Sequence, residues 1–286
     1  MELYIIRHGQ STNNTLNDPR GRVCDPPLTE LGQRQVALVA QHLASATSRT
    51  PWAADGHDRR GCGIARLYCS PMRRALETAQ PIGRALGVVP EVWVDIHEFG
   101  GIYLDYGEPS GAPRDGAWSV RHYGEPSGAP RDGAWSVRHY GEPSGAPRDG
   151  AWSVRHYGEP TGVVAYPGKT RSEILAEFPH YRLPEGITEQ GWWRGGREER
   201  AAFTERVARV AEVMRQWAAD DERIAIVSHG DFSNGLLHAL FRLAPERGVY
   251  YHHRNTAITR IDFQGDGHLD VQYVNRVEHL PAELIS

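Results

Sequence analysis

The chain begins with a short apolar segment that ends in an arginine and a histidine. Residues 3–6 are apolar and are followed by Arg7, His8 and Gly9. This pattern predicts a buried strand that brings a cation and an imidazole to the carboxyl edge of a sheet, where open α/β folds bind ligands. The guanidinium of Arg7 suits phosphate oxygens, and the imidazole of His8 is a nitrogen nucleophile. Because Gly9 allows close backbone approach and Asn14 adds an amide donor, we expect a phosphate site here.

Two later apolar segments also end in residues that can bind phosphate. The first leads into Ser-Pro-Met-Arg-Arg-Ala at residues 70–75, and the second, residues 224–227, leads into Ser228, His229 and Gly230. With three such motifs in this order, the chain resembles the histidine phosphatase superfamily, which has a phosphoglycerate-mutase-like fold. The resemblance extends over nearly the whole chain apart from one insert.

The resemblance implies a role for each residue that matches a family motif. His8 lies at the position of the phospho-accepting histidine, and His229 at that of the second pocket histidine. Arg7 and Arg74 lie at the positions of the two pocket arginines, and Asn14 at that of a pocket asparagine. Arg74 is chosen over the arginine before it because its spacing from the preceding serine is that of the family. The glycines that follow the two histidines, Gly9 and Gly230, are expected to line the same pocket.

The resemblance also places a proton donor and a substrate loop. The family carries its proton-donating glutamate in the segment matching residues 95–101, where Glu98 is the only glutamate, although its spacing departs from the commonest family form. An exposed loop carboxylate is the alternative interpretation of Glu98. Residues 191–196 resemble a loop found near the pocket in some family members, so Trp193 or Arg194 is expected to touch substrate, with anchoring in the core as the alternative.

Together these residues predict hydrolysis of a phosphomonoester. The arginines, Asn14 and His229 would neutralise the phosphoryl oxygens, and His8 would attack phosphorus to form a phosphohistidine. Glu98 would donate a proton to the leaving oxygen and then activate water. The two guanidinium groups are expected to lower the pKa of His8 and keep it neutral. This chemistry demands no cofactor and no metal ion, and the sequence lacks the clustered carboxylates and histidines of a metal hydrolase.

Two other function classes fit parts of the pattern. A phosphoglycerate-type phosphomutase would use the same pocket but would hold its phosphoenzyme against water. A non-catalytic phosphoryl-binding protein would be expected to lack the nucleophile or the acid, whereas His8 is present. The substrate is expected to be a small phosphorylated metabolite, but its identity depends on variable loops and does not follow from the motifs.

Length and composition fit one domain. The 286 residues are 40% hydrophobic, which is enough for a sizeable core. The family resemblance implies a three-layer α/β/α sandwich with a mostly parallel central sheet. The net charge of -4 gives no general attraction to nucleic acid or anionic membranes. Without a long apolar run or a leader segment, we expect a cytoplasmic protein. Its three cysteines are expected to be free thiols, and homo-oligomerisation stays open.

One segment departs from the pattern of an ordinary domain. A unit of 17 residues is repeated three times without change, at residues 106–122, 123–139 and 140–156. Each unit carries three glycines and two prolines, which excludes a regular helix and predicts an irregular insert, residues 106–156, within a single domain spanning 1–286. A tandem duplication in a surface loop is favoured over a ligand-binding array. A metal trio of the repeated histidines is a further alternative, but their spacing fixes no coordination geometry.

Several helix starts are also predicted. Thr29 is expected to cap a helix ending near residue 46, and Thr170 one that ends at Pro179. Ser70 is expected to cap the helix that carries Arg74, and Asp231 the helix that follows His229. A long amphipathic helix is predicted within residues 198–220.

Overall fold

The computed structural model describes residues 1–17, 21–45, 62–105, 163–243 and 248–286. Its contacts divide the chain into two units, Met1–Leu104 with Val164–Ser286 and, separately, Asp105–Val163. The three repeats and the predicted metal trio lie outside the described residues. All candidate site residues belong to the first unit.

Eight β-strands are assigned in the described ranges: β1 (Glu2–Arg7), β2 (Arg66–Cys69), β3 (Pro90–Val92), β4 (Tyr103–Asp105), β5 (Val163–Ala165), β6 (Arg223–Ser228), β7 (Ile258–Phe263) and β8 (Leu269–Arg276). Six of them form one sheet in the order β3-β2-β6-β1-β7-β8, and β4 pairs with β5. The pairs β3-β2, β2-β6 and β6-β1 are parallel, whereas β7 runs antiparallel to both of its neighbours. The prediction of a mostly parallel central sheet is confirmed.

Five α-helices are assigned in the described ranges: α1 (Glu30–Ser45), α2 (Arg73–Leu86), α3 (Arg171–Glu177), α4 (Arg200–Trp217) and α5 (Gly230–Leu240). Apolar residues of α1, α2 and α3 form one core with one face of the sheet, and those of α4 and α5 form a second core with the other face. The predicted three-layer α/β/α arrangement is therefore confirmed. None of the helices within the described ranges combines the length and hydrophobicity that a bilayer span needs.

The central strand β1 shows how the sequence builds these layers. Side chains of a strand alternate between the two faces of a sheet. Tyr4 and Ile6 accordingly lie in the core beside α1 and α2, whereas Leu3 and Ile5 lie in the core beside α4 and α5. A strand that is apolar on both faces is stable only when both are covered, which places β1 in the middle of the sheet.

The helix starts predicted at Thr170 and Thr29 are correct. Thr170 accepts a hydrogen bond from the backbone N–H of Glu173 at 3.2 Å, and the carboxylate of Glu173 accepts one from the backbone N–H of Thr170. This capping box starts α3 as expected. Thr29 likewise accepts from the backbone N–H of Gly32 at 3.0 Å, at the first turn of α1.

The helix starts predicted at Ser70 and Asp231 are wrong. The helix α2 begins at Arg73, whose backbone N–H donates to Asp25 Oδ1 at 2.9 Å, while the Ser70 hydroxyl bonds the His229 ring. The helix α5 begins at Gly230, with His229 itself at the N-cap position. In both cases tertiary contacts determine how the chain passes from the preceding strand into the helix. A local capping motif contains no information about those contacts.

Candidate active site

The register of β1 against β6 brings the two predicted histidines together. Arg7 is paired with Ser228, so His8 and His229 each lie one residue beyond the carboxyl end of neighbouring parallel strands. The backbone N–H of His8 donates to the Ser228 carbonyl at 2.9 Å. The two imidazole rings are 5.1 Å apart between centroids, and both side chains are buried.

The contacts of His8 define its tautomer. Its Nδ1 lies 2.7 Å from the carbonyl oxygen of Gly9, which can only accept, so Nδ1 carries the proton. The guanidinium Nε of Arg74 donates to His8 Nε2 at 3.1 Å, which requires a lone pair on Nε2. Burial, followed by the charges of Arg74 and Arg7, holds the pKa of His8 well below its ordinary value. The imidazole is therefore neutral, and its nucleophilic nitrogen is Nε2.

Arg74 is the arginine beside His8, and Arg73 is not. Arg73 donates from its Nε to the Glu77 carboxylate at 2.8 Å, in a partly exposed pair on α2. Arg74 is half-buried, and desolvation lowers the pKa of its guanidinium while the carboxylates of Asp25 and Glu98 oppose that shift. Because an arginine keeps its proton in proteins, Arg74 provides a cation next to His8 Nε2.

The other predicted arginine, Arg7, forms a hydrogen bond with a residue in the C-terminal part of the chain. Its Nη1 donates to the backbone carbonyl of His253 at 2.6 Å. The His253 ring is buried as well, with Nε2 placed 3.2 Å from the hydroxyl of Thr259 in β7. The turn before β7 thus fixes the guanidinium at the end of β1.

Glu98 is not an exposed loop carboxylate. Its Oε1 accepts hydrogen bonds from the backbone N–H groups of Phe99 and Phe232, both at 2.9 Å. Burial and then the charge of Asp231 raise the pKa of Glu98 to about 7, whereas Arg74 opposes the shift. A carboxyl group that titrates near neutral pH is suited both to donate and to accept a proton.

The segment that carries Glu98 is clamped by a buried ion pair that the sequence did not suggest. Arg206 of α4 donates from Nε and Nη2 to the two carboxylate oxygens of Glu198, at 2.7 and 2.6 Å. Its Nη1 also donates to the carbonyls of Asp95 and His97, at 2.6 and 3.0 Å. Both partners of the pair are at most 8% exposed. The backbone just before Glu98 is therefore tied to α4.

The close backbone approach expected at Gly9 is to the helix α1. A Cβ atom at Gly9 would lie 2.7 Å from Val36 Cγ2 and 2.8 Å from the carbonyl oxygen of Gly32 in α1. The backbone N–H of Gly9 donates to the hydroxyl of Thr78 at 3.1 Å. Packing of α1 against the loop after β1 is thus sufficient reason for a glycine here. Gly230, its counterpart after the second histidine, is the buried first residue of α5.

Asn14 lies in a short 3-10 turn, Thr12–Thr15, and is exposed. Its Oδ1 accepts from the backbone N–H and from the hydroxyl of Ser11, both at 2.9 Å. Because the oxygen is engaged by Ser11, the amide nitrogen is the atom of Asn14 that can donate to a ligand. The predicted role of Asn14 as a phosphate donor stays a prediction.

The loop at residues 191–196 is anchored to the protein. Trp193 Nε1 donates to the carbonyl of Gly196 at 2.7 Å, and its ring lies 4.9 Å from that of His97. Arg194 is exposed and its Nη2 lies 3.5 Å from the hydroxyl of Thr188. Trp193 therefore packs beside the segment of Glu98, in line with the anchoring alternative, and substrate contact by either residue stays a prediction.

Cysteine chemistry and metal binding are two alternatives to a histidine nucleophile at this site. The three cysteines are free, and burial raises the pKa of the fully buried Cys69 thiol, which favours a structural thiol over a nucleophile. Within the described ranges, no group of three or more His, Cys, Asp or Glu side chains is arranged to hold a metal ion.

Comparison with known proteins identifies the family. The sequence model of the histidine phosphatase superfamily (branch 1) matches residues 3–133 and 162–276. The chain therefore belongs to the histidine phosphatase superfamily, and the expectation from its motifs is confirmed.

Curated relatives match over shorter stretches. A probable phosphatase from Schizosaccharomyces pombe is 31% identical over 96 residues, which is 34% of this chain and 38% of that protein. A probable phosphoglycerate mutase from Yersinia pestis is 32% identical over 88 residues, which is 31% of this chain and 33% of that protein. The chain thus aligns with about a third of the length of these relatives.

Among solved structures, the fold resembles that of an Entamoeba histolytica phosphoserine phosphatase mutant in complex with phosphoserine. The TM-score is 0.51 at 18% sequence identity, over 98% of this chain and 99% of that chain. At this identity the similarity establishes the shared fold alone.

Proposed function

We propose that the protein hydrolyses phosphomonoesters through a covalent phosphohistidine on His8, with a small phosphorylated metabolite as substrate. The observation that carries the proposal is the state of His8: its Nδ1–H is engaged by the Gly9 carbonyl, and its Nε2 lone pair meets the Arg74 cation. A neutral imidazole beside fixed positive charge combines a nucleophile with a binding site for a phosphate dianion.

In this proposal the phosphoryl group displaces His8 from its contact with Arg74. Arg74 and Arg7 then bind phosphoryl oxygens, with His229 and the amide of Asn14 as further donors. The phosphorus–oxygen bond to the leaving group breaks as the bond to His8 Nε2 forms, and Glu98 gives its proton to the departing oxygen. In the second step Glu98 takes a proton from the water that attacks the phosphohistidine.

The pKa of Glu98 supports this assignment. At a pKa of about 7, a large fraction of the carboxyl groups is protonated at neutral pH, as a general acid requires. After donating, the carboxylate is placed to act as the base. The bonds from Phe99 and Phe232 to Oε1 hold one oxygen and leave the other for this exchange.

The proposal includes metal independence, because the arginines and His229 can neutralise the transferring group without a divalent ion. The test is hydrolysis of a panel of phosphomonoesters, including phosphoserine and 3-phosphoglycerate, by protein treated with EDTA. We expect phosphate release at the rate of untreated protein. Loss of activity with EDTA that is restored by a divalent ion would contradict metal independence.

A phosphoglycerate-type mutase is the second candidate, favoured by the relative named as a probable phosphoglycerate mutase. Both enzymes share the first chemical step and differ in whether water or a second hydroxyl group receives the phosphoryl group. The rate of phosphate release from 3-phosphoglycerate is therefore compared with its conversion to 2-phosphoglycerate. We expect release to exceed isomerisation, and the reverse ratio would favour the mutase.

A further inference from the structure

Ser70 and His229 meet at the ends of neighbouring strands. Cys69 in β2 is paired with Val227 in β6, so Ser70 lies level with the residue before His229. The Ser70 hydroxyl oxygen is 2.8 Å from His229 Nε2. Both side chains are completely buried. The phosphoryl chemistry proposed above assigns no role to this short contact between Ser70 and His229.

The direction of this hydrogen bond follows from the other partner of the hydroxyl. Ser70 Oγ accepts from the backbone N–H of Met72 at 3.3 Å. Among the contacts of the described residues, His229 Nε2 is the one group able to accept the hydroxyl proton. A buried hydroxyl with an unbonded proton is costly, so Ser70 donates to Nε2.

The remaining nitrogen of His229 then carries the proton. Burial, together with Arg74 and His8, holds the pKa of His229 well below its ordinary value, so the ring is neutral and has a single N–H. With a lone pair on Nε2, that N–H is at Nδ1. Nδ1 is buried and has no hydrogen-bond partner among the described residues.

An unpaired donor in the interior is destabilising unless a ligand completes it. The His229 ring lies 5.1 Å from the ring of His8, so a phosphoryl group at His8 would be next to this donor. The opposite tautomer would direct a lone pair at phosphoryl oxygens and would repel them. The orientation of one serine hydroxyl thus decides whether His229 attracts or repels the substrate.

We propose that Ser70 is a positioning residue that fixes the tautomer of His229, so that Nδ1–H donates to the transferring phosphoryl group. The chain of donors runs from the Met72 backbone N–H to Ser70 Oγ, and from the Ser70 hydroxyl to His229 Nε2. No proton moves along it. This role rests on the phosphatase function proposed above, but the tautomer itself is measurable without turnover.

The tautomer is measured on the full chain labelled with ¹⁵N-histidine. Long-range ¹H–¹⁵N correlation spectra distinguish protonated from unprotonated ring nitrogens, and the signals lost in His229→Gln identify the residue. We expect Nδ1 protonated and Nε2 unprotonated, and a shift of the Nδ1 signal when inorganic phosphate is added. In Ser70→Ala we expect a mixture of tautomers. A protonated Nε2 in the wild type, or an unchanged tautomer in Ser70→Ala, would overturn the proposal.

Kinetics with matched variants complete the test. Ser70→Ala should lower kcat about tenfold, the size expected for loss of one buried hydrogen bond, and Ser70→Thr, which retains the hydroxyl, should recover most of it. The control is Ser233→Ala, which removes another fully buried hydroxyl, on α5. We expect wild-type kcat and tautomer for the control. Full activity in Ser70→Ala would contradict the role, whereas a wild type that has the expected tautomer but hydrolyses no phosphomonoester would refute the phosphatase function instead.

Discussion

His8 lies at the end of a central strand of the sheet, whereas Glu98 lies on an irregular segment after the edge strand β3. The backbone of His8 is bonded on both sides, to the carbonyl of Ser228 and from the side-chain amide of Asn255 at 2.9 Å. Glu98 is instead supported from another layer, because Arg206 of α4, which is paired with Glu198, donates to the backbone carbonyls just before Glu98. The proposed nucleophile is thus positioned by sheet register, and the proposed proton donor by a buried ion pair.

This difference separates two requirements of the proposed reaction. The nucleophile and the phosphate-binding cations need a rigid frame, because small displacements raise the barrier to in-line attack. The carboxyl group that serves as acid and then base needs a pKa near neutrality, which depends on burial and on Asp231 more than on a fixed backbone. Substitutions in the two regions are therefore expected to change different kinetic properties.

The largest effect is expected from His8→Ala. Removal of the nucleophile should lower kcat by at least about 10⁴-fold, because the remaining cations can bind phosphate but cannot form the covalent intermediate. Phosphate binding and the melting temperature should change little. The control is His180→Ala at an exposed position, with activity expected at the wild-type level. Substantial turnover by His8→Ala would break the assignment of the nucleophile.

A smaller effect that depends on the leaving group is expected from Glu98→Gln. Loss of the general acid should lower kcat/KM, which reports the steps up to departure of the leaving group, by about 10²–10⁴-fold for alkyl phosphates, and much less for p-nitrophenyl phosphate, whose leaving group needs no proton. In the wild type, kcat/KM for alkyl phosphates should fall as the pH rises through the Glu98 pKa of about 7, because the acid form is lost. This pH dependence should vanish in Glu98→Gln.

Glu185→Gln, at an exposed position, is the matched control and should leave both the rate and the pH profile unchanged. Equal losses for alkyl and nitrophenyl substrates in Glu98→Gln would show that Glu98 has a role other than proton donation.

How far these assignments follow from the sequence differs between the two regions. His8 and His229 each follow directly after an apolar segment that forms a strand, so the sequence predicts both strands. Parallel pairing of β1 with β6 then brings the two histidines together. The supports of the site are remote in the chain: Asp25 meets the N-terminus of α2 from 48 residues away, and Arg206 reaches Asp95 across 111 residues. Local patterns carry no information about such pairs.

The same limit explains the misplaced helix starts. Ser70 has the type and position of a capping residue, but its hydroxyl is used by a histidine 159 residues later in the chain. The one sequence signal for the role of Arg206 is its position on the buried face of α4, between Phe203 and Val207. A charged residue on an apolar face requires a partner.

Arg206→Met is expected to act mainly on stability and on the Glu98 region. Because it leaves the buried Glu198 carboxylate without its partner, the free energy of unfolding should fall by about 3–5 kcal/mol. Urea denaturation measures this change. Arg182→Met removes an arginine whose pair with Glu91 is largely exposed, and should cost about 0–1 kcal/mol.

The activity of Arg206→Met distinguishes an effect on the segment of Glu98 from an effect on the region around His8. Where the variant is folded, kcat/KM should fall more for alkyl phosphates than for p-nitrophenyl phosphate, since the segment of Glu98 loses its clamp. A uniform loss on both substrates would mean that the ion pair also supports the region around His8.

The smallest effect is expected from removal of the three repeats, residues 106–156. The deletion joins Asp105 to Tyr157 and restores the same local sequence, Tyr-Gly-Glu-Pro, at the junction. Loop closure changes by only about 0.6 kcal/mol per doubling of length, so the melting temperature should stay within a few degrees. Hydrolysis of a small phosphomonoester should persist. We expect a change either in KM for larger substrates or in the oligomeric state. A deletion protein that is insoluble or inactive on all phosphoesters would contradict a surface duplication.

Formation of a phosphohistidine on His8 is tested by trapping the intermediate. The protein is mixed with ³²P-labelled phosphomonoester, quenched in alkali, digested and mapped by mass spectrometry. We predict label that is stable in alkali and labile in acid, on Nε2 of His8, and no label in His8→Ala. Label on a serine or on Cys69, or active turnover without any labelled protein, would contradict the account.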